Sequence, residues 1–349
     1  VGAWCRQCMA CLRACPTQAL RVNTGGPVVL DHLCIDCGVC LRVCPTGALE
    51  LAHTESKELE ERIETFGREG AVETQTPLLI PTPLLVQFGA GTRPDDVVEA
   101  LGQMGFAPVE TLERWKLALT NAVIEHARET DGPRPLISPV CPAVINLIEM
   151  RFPTLLPHVA PFLSLLEAAR EELAPLGATF VVSCPAQHTV LTRGTAEPVP
   201  TVPPTRIWNA LCGRLHDAPG ARKPASANWD VPEAMLPGSS HERKGLPFMR
   251  VEGMDHVLAV LEAIENGRLP DVAVLEPFAC DQGCFGSPLW REDAFVARRR
   301  WQWAGTEPGP RAVARPRSEA PVPRVGVRLD DNMAAAIAKL AEMDALAKR

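Results

Sequence analysis

Two runs of cysteine constrain this chain more than anything else in it. Residues 5–15 read Cys5-x2-Cys8-x2-Cys11-x3-Cys15-Pro16, and residues 34–44 repeat the pattern as Cys34, Cys37, Cys40 and Cys44, followed by Pro45. This spacing sets three thiolates around one face of an iron-sulfur cubane, while the fourth cysteine of each run crosses to the other cluster. The repeats must therefore fold as one unit. Cys5, Cys8, Cys11 and Cys44 are expected around one [4Fe-4S] cluster, and Cys34, Cys37, Cys40 and Cys15 around a second. A zinc ribbon is the alternative, but zinc motifs stop at two pairs and rarely place proline after the last thiol. Between the runs, Ala19–Val22 and Val28–Leu30 read as short strands joined by the turn Asn23-Thr24-Gly25-Gly26.

A second set of thiols lies far down the chain. Cys280-Asp281-Gln282-Gly283-Cys284-Phe285-Gly286 follows the apolar run Val272–Leu275, and Gly283 lets the backbone fold tightly between two thiols. Cys141, in Ser138-Pro139-Val140-Cys141-Pro142, and Cys184, in Ser183-Cys184-Pro185-Ala186, each follow an apolar run and precede a proline able to open a helix. Cys141, Cys184, Cys280 and Cys284 thus suit one further cluster assembled at three strand ends. The competing reading makes Cys141 and Cys184 small buried hydrophobes. Cys212, in Leu211-Cys212-Gly213, has no partner at ligand spacing and reads as a structural thiol. His158, His188, His216 and His256 show no metal-ligand spacing, although His188 is close to the Cys184 turn.

The net charge of −7 argues against a nucleic-acid partner, since no basic run is available to neutralise phosphates. Arg298-Arg299-Arg300 reads instead as the end of a helix. No window reaches the roughly 18 uninterrupted apolar residues of a membrane span, and no cleavable signal is apparent. A cytoplasmic protein is expected. Of 13 cysteines, eight sit in the two compact runs, so chelation in a reducing, often oxygen-poor compartment explains the count better than disulfides. Beginning at Val1 without a methionine and stopping at Arg349 inside a helical pattern, the sequence reads as a piece of a longer protein.

After residue 52 the pattern changes. Glu55–Arg68 has helical spacing, and Ala71–Pro83 favours extended chain. Strands and helices then alternate: Leu84–Phe88 as a strand, Pro94–Met104 and Leu112–Arg128 as helices, Leu136-Ile137 as a strand before Cys141, and Val144–Met150 and Phe162–Leu173 as helices. Thr179–Val182 is expected to be the strand feeding Cys184, Asp255–Asn266 a helix, and Asp271–Leu275 the strand feeding Cys280. Alternation of this kind predicts an α/β domain with mostly parallel sheets, whose sites collect at the carboxyl ends of strands. The expected division is a two-cluster module at 1–52, a connecting helix and linker at 53–82, and an α/β domain at 83–304 with an irregular insert at 194–247. A proline- and arginine-rich strap with a terminal helix fills 305–349, its apolar face formed by Met333, Ile337, Leu340, Met343 and Leu346.

These motifs together resemble the C-terminal domain of the [FeFe]-hydrogenase catalytic chain, preceded by a dicluster ferredoxin, closest to the branch of sensory or uncharacterised hydrogenase-like proteins. The resemblance covers nearly all of residues 1–304 and rests on Ser138–Leu147, Ser183–Ala186 and Glu276–Cys284. It implies that Cys141, Cys184, Cys280 and Cys284 hold a cubane and that Cys284 also bridges to a diiron subcluster with carbonyl and cyanide ligands. It implies H2 as substrate, and a redox partner protein or a downstream regulatory module as partner. The terminal helix is similar to the lead-in to a further iron-sulfur module in that branch. Two departures bear on catalysis. Val140 stands where active members place a proton-relaying cysteine, and Gln187 where they place a lysine that hydrogen-bonds a cyanide. Cys284 and Gln187 are accordingly the candidate catalytic residues. Two functions remain open: a sensory or weakly active hydrogenase-like protein, and an electron-transfer or scaffold protein with three [4Fe-4S] clusters and no diiron site.

Overall fold

The computed structural model describes Gly2, residues 4–51, 76–193, 198–216, 242–243 and 245–304, and positions 314, 316 and 317. The expected helices at 55–68 and beyond residue 330 lie outside the described residues, as does most of the insert and of the strap.

In the N-terminal module a short helix α1 (Ala10–Ala14) precedes the hairpin β1 (Leu20–Asn23) and β2 (Gly26–Val29), and α2 (Val39–Arg42) follows. The hairpin pairs antiparallel in the register Leu20↔Val29 and Asn23↔Gly26. The sequence repeat is visible as a structural one. The Ala19 amide donates to Cys15 Sγ at 3.2 Å, and the Ala48 amide donates to Cys44 Sγ at 3.3 Å. Each Cys-Pro-Thr turn therefore aims a backbone N–H at its own sulfur.

The larger domain is α/β, built on two sheets. One runs β4 (Phe106–Thr111), β3 (Thr76–Ile80), β6 (Thr179–Val181), β7 (Thr201–Val202), and every pairing in it is parallel. The other runs β5 (Leu136–Ile137), β10 (Val274–Phe278), β9 (Leu246–Glu252), β8 (Glu242–Arg243), parallel except for the β8–β9 pair. Both faces of the first sheet are covered, so its central strands β3 and β6 are buried along almost their whole length. Leu78 and Ile80 pack on Leu101 of α3 (Pro94–Gln103), Ile207 and Leu211 of α8 (Pro204–His216) and Trp301 of α10 (Ala294–Ala304). Leu79 and Phe180 face the opposite way, onto Trp115 of α4 (Glu113–Glu129) and Leu166 and Ala169 of α6 (Leu165–Leu173). The second sheet is enclosed similarly. Ile137 and Leu275 meet α5 (Pro142–Arg151) and α9 (Met254–Glu265), while Leu136 and Val274 meet Leu119 and Val123 of α4. Helix α4 thus belongs to both cores and joins the sheets.

The structure corrects several local expectations. Residues 84–88 are not a strand: Pro81 and Pro83 turn the chain into a 3-10 helix over Thr82–Val86, and the strand is the preceding Thr76–Ile80. The first sheet therefore starts before residue 83, where the sequence places the domain boundary. Strand β10 runs three residues beyond the expected Leu275, and α7 (Pro185–Thr192) opens directly after Cys184. Helix α10 carries Arg298–Arg300 in its interior, not at its end, because Arg298 finds acceptors there: its NH1 donates to both oxygens of Glu252 at 3.0 and 3.1 Å. Strands β4 and β9 have no counterpart among the expected elements; Pro108 within β4 and the irregular insert before β9 mask their patterns.

The N-terminal module is seated on the larger domain through the loop between Cys34 and Cys40. Ile35 is 1% exposed. Its carbonyl accepts from Asn146 Nδ2 at 3.1 Å, the Asp36 carbonyl accepts from the Ala186 amide at 2.9 Å, and Asp36 Oδ2 accepts from Thr189 Oγ1 at 2.8 Å. Gly38 makes the approach feasible. It has φ +73°, and a Cβ there would stand 2.7 Å from Pro288 Cγ and 3.2 Å from Pro185 Cδ. Gly38→Ala is expected to cost about 1–3 kcal/mol from the left-handed backbone alone and to open this contact. A lowered denaturation midpoint and faster amide exchange at Ile35–Gly38 would report both effects.

Candidate functional site

Three groups of thiols are brought together. Cys5, Cys8, Cys11 and Cys44 line one small cavity in the N-terminal module. Cys40 feels the charge of Cys15, as does Cys37, so the fourth cysteine of the first run does lie beside the second run. Cys141, Cys184, Cys280 and Cys284 line a second, larger cavity, whose wall also includes Cys37. Among the described residues, no group of three or more His, Cys, Asp or Glu is arranged around a single metal ion. The sulfurs instead border cavities, as a multi-iron cluster requires.

The fold accounts for the inner convergence. Cys141 follows β5 and is the N-cap of α5; Cys184 follows β6 and is the N-cap of α7; each has proline in the first helical turn. The first-turn amides then point at sulfur, Ala143 and Val144 toward Cys141 and Ala186 and Gln187 toward Cys184. Such amides favour a thiolate or any anion in their place. Cys280 and Cys284 lie on the loop after β10. There Gln282 and Gly283 have positive φ, and a Cβ on Gly286 would come within 2.0 Å of the Asp281 carbonyl oxygen, so the loop closes on itself only with glycine. Further ties fix it: Trp290 Nε1 donates to the Cys284 carbonyl at 2.8 Å, and Ser287 Oγ donates to the Ser183 carbonyl.

Behind this loop lies a buried charge network that the sequence did not announce. Arg298 NH1 donates to Gln282 Oε1 at 3.1 Å as well as to Glu252, Arg250 Nε donates to Glu252 Oε1 at 2.7 Å, and Arg250 NH1 lies 3.5 Å from Glu276 Oε2. Glu276 is 1% exposed and accepts from Thr120 Oγ1 at 3.2 Å. Burial lowers the Arg298 pKa below its usual value, against the raising effect of Glu252. On α4, Glu113 and Lys116 also wall the cavity. Glu113 Oε1 accepts from Thr82 Oγ1 at 2.5 Å, whereas Oε2 is buried without a hydrogen bond. Lys116 Nζ and the Arg250 guanidinium approach the Phe278 ring centroid at 5.5 and 4.5 Å, and both act on Cys284 as favourable positive charges. The i, i+3 pair of Glu113 and Lys116 on α4 was the available sequence signal, but one helix face of mixed charge reads as a solvated surface.

The two departures are equally concrete. Val140 is 5% exposed and walls the cavity beside Cys141 with no titratable atom. Gln187 Oε1 accepts from the Ser183 amide at 2.7 Å and from Ser183 Oγ at 2.8 Å, so only its NH2 could address a ligand in the cavity. Of the remaining candidates, Cys212 is half-buried on α8, and His188 Nδ1 is 2.9 Å from Thr201 Oγ1, away from the thiols' cavity wall.

With the geometry in view, residues 4–48 match the family model described as a 4Fe-4S dicluster domain. Residues 84–169 match the iron only hydrogenase large subunit, C-terminal domain. The chain is a hydrogenase-like iron-sulfur protein with a ferredoxin domain. The hydrogenase-like match ends before Cys184, so of the four inner thiols it includes Cys141 alone. Solved structures extend the fold further. An [FeFe]-hydrogenase studied for oxygen inactivation through damage to its 2Fe subcluster superposes with TM-score 0.51 at 15% identity, covering 80% of this chain and 95% of that one. A variant of [FeFe]-hydrogenase HydA1 from Chlamydomonas reinhardtii gives 0.51 at 14%, covering 79% and 94%. An [FeFe]-hydrogenase from a study of stepwise H-cluster assembly gives 0.50 at 14%, covering 71% and 88%. No curated protein matches the sequence. No helix among the described residues is long and apolar enough to cross a membrane.

The donor set fits [4Fe-4S] clusters: soft thiols brought together in groups, several of them near backbone N–H groups, in partly dry cavities. Cys141→Ser or Cys184→Ser is expected to remove about four irons per chain and leave the N-terminal pair intact, as read by iron quantitation and by electron paramagnetic resonance. The metal-free thiols supply a pH test. Burial raises Cys34, Cys37 and Cys284 from 9.0 to about 12. The folded apoprotein therefore holds protons that the unfolded chain releases sooner. Its stability should be fully present below pH 9.0 and fall progressively toward about pH 12, as denaturant midpoints across that window would show. Cys44 behaves oppositely. Its modest burial is outweighed by hydrogen bonds from Thr46, Ala48 and Leu49, its pKa is lowered, and it should be among the first thiols alkylated.

Proposed function

We propose that this chain is a redox protein carrying three [4Fe-4S] clusters in line, with a diiron unit held through Cys284, and that it works as a slow, sensory hydrogenase-like protein. The first two clusters are assigned to Cys5, Cys8, Cys11 and Cys44, and to Cys34, Cys37, Cys40 and Cys15. The third is assigned to Cys141, Cys184, Cys280 and Cys284. One observation carries this reading: Cys37 shares a cavity wall with all four inner thiols, which gives electrons a short path between the modules.

A diiron unit in that cavity would supply the heterolytic cleavage of H2. The chain's own residues set the conditions. Lys116 and Arg250 place positive charge beside Cys284 and so offset the negative charge of a thiolate-bound cofactor. Glu113, with one buried oxygen free of hydrogen bonds, is the titratable group in the wall nearest to a proton acceptor role. Gln187 can offer a neutral hydrogen bond, roughly half as strong as one from a charged donor. Val140 cannot carry a proton away. Turnover is therefore slow, and the electrons released pass outward to a redox partner or a regulatory module.

A second reading has its own support. The apolar Val140 and the commitment of Gln187 Oε1 to Ser183 favour an inner cubane without diiron, making the chain an electron-transfer or scaffold protein. Infrared spectroscopy of protein matured with hydrogenase assembly enzymes separates the two. Carbonyl and cyanide bands with about fourteen irons per chain support the first reading; no such bands and about twelve irons support the second.

A further inference from the structure

Directly after the 3-10 helix at Thr82–Val86 comes Gln87, a buried side-chain amide whose oxygen and nitrogen are both engaged. Its Oε1 accepts from the backbone amides of Arg291 and Glu292 at 3.1 and 3.0 Å, and its Nε2 donates to the Pro83 carbonyl at 3.1 Å. Only an uncharged amide meets both demands. A hydrocarbon would leave two N–H groups without their acceptor, and a carboxylate would face the Pro83 carbonyl with no proton to give. The contact closes on itself: Trp208 of α8 donates its Nε1 to the Gln87 carbonyl at 3.4 Å, and the Arg291 guanidinium lies 3.9 Å from a Trp208 ring centroid. Pro83 stands in the wall of the inner cavity together with Cys284. Trp290, one residue before Arg291, donates its Nε1 to the Cys284 carbonyl at 2.8 Å, and the Ser287 amide donates to the same oxygen at 3.3 Å.

We propose that Gln87 is a positioning residue for Cys284, acting through Trp290. By pinning the backbone at 291 and 292 it seats the indole on the Cys284 carbonyl, which fixes that thiol relative to the other three. The inference rests on the reading that the four inner thiols hold a cluster. Such a device is needed because the loop is strained: Gln282 has φ +59° and Gly283 φ +63°. A non-glycine residue in that region persists only where the surroundings over-determine it. Arg298 holds the loop at Gln282, before Cys284. Gln87 and Trp290 hold it on the other side, and the buried amide, with its oxygen and its nitrogen both bonded, admits one arrangement of that exit.

The test uses the full chain with reconstituted clusters under anaerobic conditions, and the N-terminal clusters serve as its internal control. Iron release to a chelator is followed in Gln87→Met, Gln87→Glu and Trp290→Phe, and the inner cluster's midpoint potential is measured by redox titration with electron paramagnetic resonance. In Gln87→Met about four of the irons should be lost about tenfold faster, the scale of leaving two buried amides without an acceptor, while the rest leave at the parent rate. Gln87→Glu keeps an oxygen for both amides and should fall between Gln87→Met and the parent. Trp290→Phe removes only the donor to Cys284; it should speed the same irons several-fold and shift the inner midpoint potential without moving the N-terminal pair. If Gln87→Met does not fold, Trp290→Phe and Gln87→Glu decide the matter. Parent-like iron release and potential in Trp290→Phe would overturn the proposal, as would equal acceleration of all irons in Gln87→Met, which would mark Gln87 as general scaffold. A parent protein without the inner cluster's signal would instead refute the cluster assignment beneath it.

Discussion

The seating of the Cys34–Cys40 loop on the amino ends of α5 and α7 is the constraint on which the rest of this structure depends. Three hydrogen bonds cross that contact, from Asn146, Ala186 and Thr189 to the backbone and side chain of Ile35 and Asp36. All three donors lie on the helices capped by Cys141 and Cys184: Asn146 on α5, Ala186 and Thr189 on α7. The contact therefore does more than hold two modules together. It sets the distance between the second and third groups of thiols, because both are anchored on the same few residues. The Arg42–Asp281 ion pair at 3.3 Å adds orientation, but with both side chains well exposed it contributes about 0–1 kcal/mol.

The Cys280–Cys284 loop needs a different kind of support. Its glycines allow the closure, Phe285 packs on the first core, and the network of Arg298, Glu252, Arg250 and Glu276 grips it from behind. Buried charges are costly unless paired. Here each arginine meets a carboxylate, and Arg298 in addition takes the side-chain oxygen of Gln282. The positive charges that remain near Cys284 also favour an anionic centre in the cavity, so one set of residues supports both the loop's shape and its electrostatics.

Much of this was legible in the sequence, and for identifiable reasons. Cysteine spacing is a short-range signal, and the crossing of Cys15 and Cys44 follows from it directly. The α/β class follows from alternating periodicity, and the position of Cys141 and Cys184 from an apolar run ending in Cys-Pro. What could not be read was any feature made of residues distant in the chain. Thr76–Ile80 reads as extended linker because Pro77 lies within it and Pro81 follows it, and its partners β4 and β6 supply the evidence that it is a central strand. Arg298 reads from its two basic neighbours as a helix-end group; its acceptor Glu252 lies 46 positions away on a strand that the insert conceals. Glu113 and Lys116 become cavity residues only once α4 is placed between the sheets.

Asp36 links these themes. Its amide donates to Cys34 Sγ at 3.4 Å, one carboxylate oxygen is 3.5 Å from that sulfur, and the other accepts from Thr189 on α7, two residues after Gln187. A single side chain thus touches a thiol of the second N-terminal run and the helix that walls the inner cavity. The two compartments are mechanically geared: the surroundings of the Cys34 sulfur cannot drift, in evolution or in engineering, without pulling on the scaffold of the other.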